Sequence, residues 1–189
     1  VYFIHIPKNA GTSIEELFKK NGINVGRYFK DEDPIDLICS KFHIPPKLMK
    51  TINFKNYITF CIVRDPIDRL VSEFNYLYKY DARVKNIDIN EYVKKYLNNT
   101  QIYEQFDCHL VPQVDYIFDS YGNKVENILQ FNNLKNDLVK FISKYNLKID
   151  INKLEFDNQS VKKFKRTDLN PESLKIIREY YKDDFKLIN

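Results

Sequence analysis

Two loops and three histidines carry the residue types that could do chemistry in this chain. The first loop, Pro7-Lys8-Asn9-Ala10-Gly11-Thr12-Ser13, follows the apolar run Val1–Ile6. Successive backbone N–H groups between a strand and a helix can wrap an anion, and the helix dipole favours negative charge there. Lys8 adds a point charge, Thr12 and Ser13 add hydroxyl donors, and Gly11 lets the backbone approach a ligand closely. A Walker A loop ends in Gly-Lys-Ser/Thr, whereas Lys8 here lies three residues before Gly11. The Mg²⁺-holding arrangement of a P-loop kinase or NTPase is therefore not reproduced. Taken alone, the loop could be an ordinary helix entry.

The second loop, Arg64-Asp65-Pro66, follows the apolar run Tyr57–Val63, and Ser72 comes eight residues after Arg64. By itself it reads as a structural salt bridge and turn. The histidines are His5, His43 and His109. A general base that works near neutral pH is supplied by imidazole with little tuning. His5 alternates within an apolar strand and reads as a packed residue. His43 and His109 are the candidate bases, with Glu15 or Glu16 an acidic alternative. Arg69 reads as structural or partner-facing.

These residues need a frame. Each loop sits between a buried-strand pattern and an amphipathic helix, the half-unit of an α/β fold. The first helix presents Ile14, Leu17 and Phe18, is capped by Thr12 or Ser13, and stops at Asn21-Gly22. The second presents Ile67, Leu70, Val71, Phe74, Leu77 and Tyr78 on one face, with Pro66 in its first turn. Short helices are expected near Pro34–Ser40 and Pro45–Thr51, and longer ones over Ile89–Leu97, Leu134–Tyr145 and from Pro171. Val114–Phe118 and Val125–Phe131 read as short strands around Tyr121-Gly122-Asn123.

Together the two loops carry a family resemblance. Ile4–Ser13 is similar to the 5′-phosphosulfate loop of the sulfotransferases that use PAPS (3′-phosphoadenosine-5′-phosphosulfate). The branch with the carbohydrate 2-O-sulfotransferases and their bacterial relatives matches best. Val63-Arg64-Asp65-Pro66-Ile67-Asp68-Arg69-Leu70-Val71-Ser72-Glu73-Phe74 resembles that family's 3′-phosphate motif. Fainter likenesses run through Pro112–Ile117, Phe131–Leu134, Asn158–Ser160 and Tyr180–Asp184.

The resemblance implies a single domain over residues 1–189, with a three-layer P-loop-like fold and a central parallel sheet flanked by helices. It implies that Lys8, Asn9, Ala10, Gly11, Thr12 and Ser13 hold the 5′ end of PAPS, while Arg64 and Ser72 hold the 3′-phosphate. His43 in Lys41–Pro46 becomes the expected base, Lys8 the electrostatic catalyst, and PAP the product, with no metal. Ser160, Lys165 and Arg166 are candidates for a lid over the nucleotide, although Lys162–Arg166 also reads as a solvated face. The acceptor is a hydroxyl, on a glycan by analogy. A non-catalytic PAP-binding module is the alternative to an enzyme.

Composition agrees without deciding. A net charge of +4 from 30 basic and 26 acidic residues suits an anionic small ligand. No charge block of the kind that forms a nucleic-acid arm is present. No apolar run reaches the roughly 18–20 residues of a membrane span. Cys39, Cys61 and Cys108 are odd in number and widely spaced, which argues against a disulfide framework and a zinc site. Buried free thiols would suit a reducing compartment. The expected location is accordingly cytoplasmic, or the Golgi lumen if an anchoring segment precedes Val1.

Overall fold

The computed structural model describes residues 1–29, 39–98, 103, 105–155 and 163–188. Three parallel strands form an open sheet in the order β1 (Tyr2–Ile4), β2 (Thr59–Val63), β3 (Asn127–Gln130). Ile4 pairs with Cys61, and Val63 with Gln130. Parallel pairing sends all three strands out at the same sheet edge. The Lys8 loop after β1 and the Arg64 loop after β2 therefore emerge side by side, at the edge where α/β sheets bind ligands.

Side-chain alternation divides the core. Phe3, Phe60, Ile62 and Leu129 face α1 (Gly11–Lys20) and α4 (Leu134–Lys144), where Ile14, Leu17, Phe18, Leu138 and Phe141 meet them. Tyr2, Ile4, Cys61 and Val63 face the opposite side, covered by short 3₁₀ turns that bring in Ile44, Met49, Phe54 and Tyr116. A separate cluster joins α2 (Pro66–Tyr80), α3 (Ile89–Tyr96) and α5 (Pro171–Tyr180) through Phe74, Tyr92, Val93 and Ile177. Each fully buried side chain of this size contributes about 1.5–3 kcal/mol. Three parallel strands with five helices around them are an α/β fold, as the sequence led us to expect.

Four local expectations change. Val114–Phe118 is not a strand: Gln113–Tyr116 is a 3₁₀ turn, and only Phe118 forms a lone bridge, to Lys124. The buried carboxylate of Asp184 accepts from the Gln113 and Val114 N–H groups at 2.8 and 2.9 Å, bending the chain away from a ladder. The Pro45–Thr51 helix shrinks to a single turn, Pro46–Leu48. The cap of α1 is Ala10 in a left-handed conformation, with Thr12 and Ser13 already inside the first turn. Finally, Cys39 and Cys108 are joined in a disulfide, which leaves buried Cys61 as the free cysteine. Their 69-residue separation gave no local signal, and the inference of a reducing compartment loses its premise. Most of the helix expected near Pro34–Ser40 lies outside the described residues. No helix among the described residues is long and apolar enough to cross a membrane.

Candidate active site

Backbone conformation shapes the first loop. Lys8 and Ala10 have φ of 68° and 63°, separated by Asn9. Left-handed conformations at non-glycine residues each cost on the order of 1 kcal/mol. Left-handed residues in alternation are the backbone pattern in which consecutive N–H groups can meet an anion. Gly11 is required for a reason the sequence did not reveal. A Cβ there would lie 2.3 Å from Nε2 of His5, so the imidazole fills the space a side chain would need.

The two loops are tied together. Gln113, fully buried, accepts at Oε1 from Asn9 Nδ2 (2.7 Å) and the Arg64 N–H (3.0 Å), and donates from Nε2 to the Arg64 carbonyl (2.8 Å). Asn9 Nδ2 also donates to the Ile62 carbonyl at 2.7 Å. The Asn9 side chain is thus a clasp pointing inward, leaving its backbone N–H to serve the loop. Arg64 reaches back to the Lys8 carbonyl at 3.2 Å and lies over the Phe131 ring. Ser72 sits half-buried on α2. Asp65 caps α2 by accepting from the Ile67 and Asp68 N–H groups.

Arg69 is structural, as expected. It is 2 % exposed, and its guanidinium donates to the carbonyls of Pro7 (3.0 Å), Val111 (2.9 Å) and His109 (2.8 Å). Lys8 Nζ lies 4.0 Å above the Tyr76 ring. Burial depresses its ammonium below the ordinary value, opposed by Glu73 and reinforced by Arg64 and Arg69.

The three histidines, distant in sequence, converge beside this loop. The His5 and His43 rings are 4.8 Å apart, and so are those of His43 and His109. Each ring meets a carboxylate through Nδ1: His5 with Glu15 (2.7 Å), His43 with Asp107 (2.7 Å), His109 with Glu73 (2.8 Å). Burial drives the His43 imidazole down to about 4, with Asp107 opposing and His5 and His109 reinforcing, so the ring is neutral at pH 7. Burial alone would raise the Asp107 carboxyl, but hydrogen bonds from His43 and Ser40 bring it down to about 2. An ionised carboxylate only accepts, so His43 Nδ1 carries the proton and Nε2 keeps its lone pair. Glu15 likewise stays below its ordinary range: burial raises it, and hydrogen bonds from His5 and Arg27 outweigh that.

Asn9 Oδ1, Glu73 Oε1 and His109 Nε2 are buried without a partner among the described residues. Such atoms cost about 1–3 kcal/mol each unless something meets them. His43, Asp107 and His109 could also hold a metal ion, with one ligand atom from each within 4.8 Å of the others. Two histidines and a carboxylate are a recognised divalent-ion set. Separations of 64 and 2 residues hid this set in the sequence.

The Lys162–Arg166 cluster divides. Lys162 and Ser160 lie outside the described residues. Lys163 donates to the Tyr78 hydroxyl at 2.6 Å. The Lys165 N–H donates to Asp168 at 2.8 Å. Arg166 pairs with Asp65 at 3.3 Å and Asp68 at 3.7 Å, which sets it at the N-terminus of α2 near Arg64.

A parallel-sheet edge with two tied loops and a buried neutral imidazole beside them suits transfer of a charged group to a hydroxyl. Comparison with known families agrees. The model of the sulfotransferase family matches residues 1–189, and the chain belongs to that family. Comparisons with curated proteins and with solved structures gave no match.

Proposed function

We propose that this sulfotransferase takes its sulfuryl group from PAPS and delivers it in line to a carbohydrate hydroxyl, with His43 as base. The observation that carries this reading is that His43, with Nδ1 committed to Asp107, packs on the His5 ring that lies against Gly11 of the Lys8 loop. In this reading the Lys8–Ser13 backbone and hydroxyls hold the 5′-phosphosulfate, while Arg64 and Ser72 hold the 3′-phosphate. Arg166 and Lys165 are neighbours of the nucleotide's 3′ side. The acceptor proton passes to His43 Nε2 as the acceptor oxygen bonds to sulfur. The bond from sulfur to the bridging oxygen breaks, and PAP departs with its new charge beside Lys8. Positioning and charge neutralisation supply most of such a rate, as in phosphoryl transfer.

Calorimetry with PAP and a radiolabelled-PAPS screen over glycans test it. Lys8→Ala and Arg64→Ala are each expected to weaken PAP at least 10-fold, since each removes a charge-assisted contact. Absence of PAP binding at millimolar concentration, or intact affinity in both variants, rejects the donor assignment. PAP binding without transfer to any acceptor would favour a non-catalytic nucleotide module. One observation supports a second choice of base: His109 Nε2 is the buried, unpartnered nitrogen. Loss of transfer in His109→Ala with full activity in His43→Ala would move the role there.

A further inference from the structure

The segment carrying His43 and the segment carrying Asp107 are fastened together four times. Cys39 and Cys108 form the disulfide, with Cα atoms 5.6 Å apart. Ser40 donates to Asp107 through its N–H and, at 2.9 Å, through its hydroxyl. His43 Nδ1 meets Asp107 Oδ2 at 2.7 Å. The Tyr116 hydroxyl lies 3.0 Å from the His43 carbonyl and 3.2 Å from the Cys108 carbonyl. The Asp107 side demands such fastening, because Phe106, Asp107 and Cys108 are all left-handed, with φ of 47°, 56° and 63°. Asp tolerates that region, but Phe and Cys do not readily adopt it. Freed of its ties, the turn relaxes toward ordinary backbone and carries the carboxylate away from the imidazole.

We infer that Asp107 is a positioning residue for the transfer reaction and that the Cys39–Cys108 disulfide holds it in place, so full turnover requires the closed disulfide. The inference rests on the reading of His43 as base. Asp107 fixes which ring nitrogen carries the proton and where the other points. The groups facing His43 are Asp107, His5 and His109, and Asp107 supplies the carboxylate among them. Reduction by dithiothreitol delivers two electrons and two protons, releasing Cys39 and Cys108 as thiols while the reductant closes into its own disulfide. The product is a slow enzyme that still binds nucleotide, since neither cysteine belongs to the Lys8 or Arg64 loops.

Three measurements decide it: alkylation with mass analysis, ¹⁵N spectra of the histidine side chains, and transfer rate beside PAP affinity. Denatured, unreduced protein is expected to alkylate at Cys61 alone; alkylation at all three cysteines overturns the proposal. Asp107→Asn suits the test because Asn also accepts a left-handed backbone. This variant, the Cys39→Ala/Cys108→Ala variant and the reduced wild type should all lose the Nδ1–H tautomer of His43. Each should slow transfer at least 10-fold, with PAP affinity within about twofold showing that the fold persists. Should the double-cysteine variant fail to bind PAP, Asp107→Asn and the reduced wild type carry the test. If His43→Ala abolishes transfer while Asp107→Asn and the reduced protein keep the wild-type rate and tautomer, the positioning role fails and the base stands. If His43→Ala remains active, the base reading falls; a His43 tautomer unchanged in Asp107→Asn would then reject the positioning role too.

Discussion

His5–Glu15 and His43–Asp107 are the same chemical pair placed in two different settings. Both join Nδ1 to a carboxylate oxygen at 2.7 Å, and their rings are neighbours. Glu15 lies ten residues from His5 on the adjacent helix, is wholly buried, and also accepts from the Arg27 N–H (2.9 Å) and Nε (2.6 Å). Asp107 lies 64 residues from His43, its side chain is 36 % exposed, and it depends on a left-handed turn held by a disulfide. The first pair closes one strand–loop–helix unit from within. The second joins separate segments at the mouth of the site. Identical contacts thus close a local unit in one place and join distant segments in the other, and on the reading of His43 as base only the second serves chemistry.

The sharpest break between the pairs is expected from His43→Ala against His5→Ala. Removing a general base costs roughly 10²–10⁴ in kcat, so transfer should collapse in the first variant with PAP affinity kept. His5→Ala removes one partner of the buried Glu15 carboxylate, leaving Arg27, and empties the space against Gly11, so it should lower Tm first. Equal kcat losses at equal Tm would erase the distinction.

Acid should separate the pairs next. Folded His43 titrates near about 4 rather than 6.5, so between these values the unfolded chain binds the extra proton. Stability from this group is full above pH 6.5 and is lost as pH falls toward 4, by roughly 3 kcal/mol at most. Asp107, depressed from 3.8 to about 2, extends the loss below that window. In contrast, Glu15 is depressed below 4.5, and its contribution is lost only as pH falls past that value. Denaturant melts of wild type and His43→Gln across pH 4–7 check this. The slope should flatten in the variant, and an unchanged slope would refute the assignment.

Glu15→Gln should cost about 2–3 kcal/mol, because it leaves the Arg27 cation without its buried partner. Urea unfolding measures it, and a loss under about 0.5 kcal/mol would show that the local pair does not brace the frame. The smallest effect belongs to Arg166→Ala. Its pairs with Asp65 and Asp68 involve a side chain that is half exposed, so stability should change by less than about 0.5 kcal/mol. A larger fall in PAP affinity would place this cation on the nucleotide.

What the sequence disclosed follows the same division. The α1 and α2 faces and the two strand–loop–helix units rest on spacing within a few turns, and the structure agrees. The separate roles of Lys8, Arg64 and Ser72 toward a nucleotide came from resemblance, and the geometry here shows only that the loops carrying Lys8 and Arg64 are tied together. The histidine row, the Gln113 clasp and the disulfide were illegible, because each joins residues tens of positions apart. Val114–Phe118 misled for a related reason. Its alternation suited a strand, but the capping carboxylate of Asp184 comes from 70 residues further on.

Arg69 has one more consequence. All three of its hydrogen bonds end on main-chain carbonyls, at Pro7, Val111 and His109. A main-chain carbonyl is the same whatever residue bears it. The guanidinium therefore holds the Lys8 loop and the His109 segment in fixed relation without reading their side chains. Side chains around the mouth can be exchanged without removing any acceptor that this guanidinium uses.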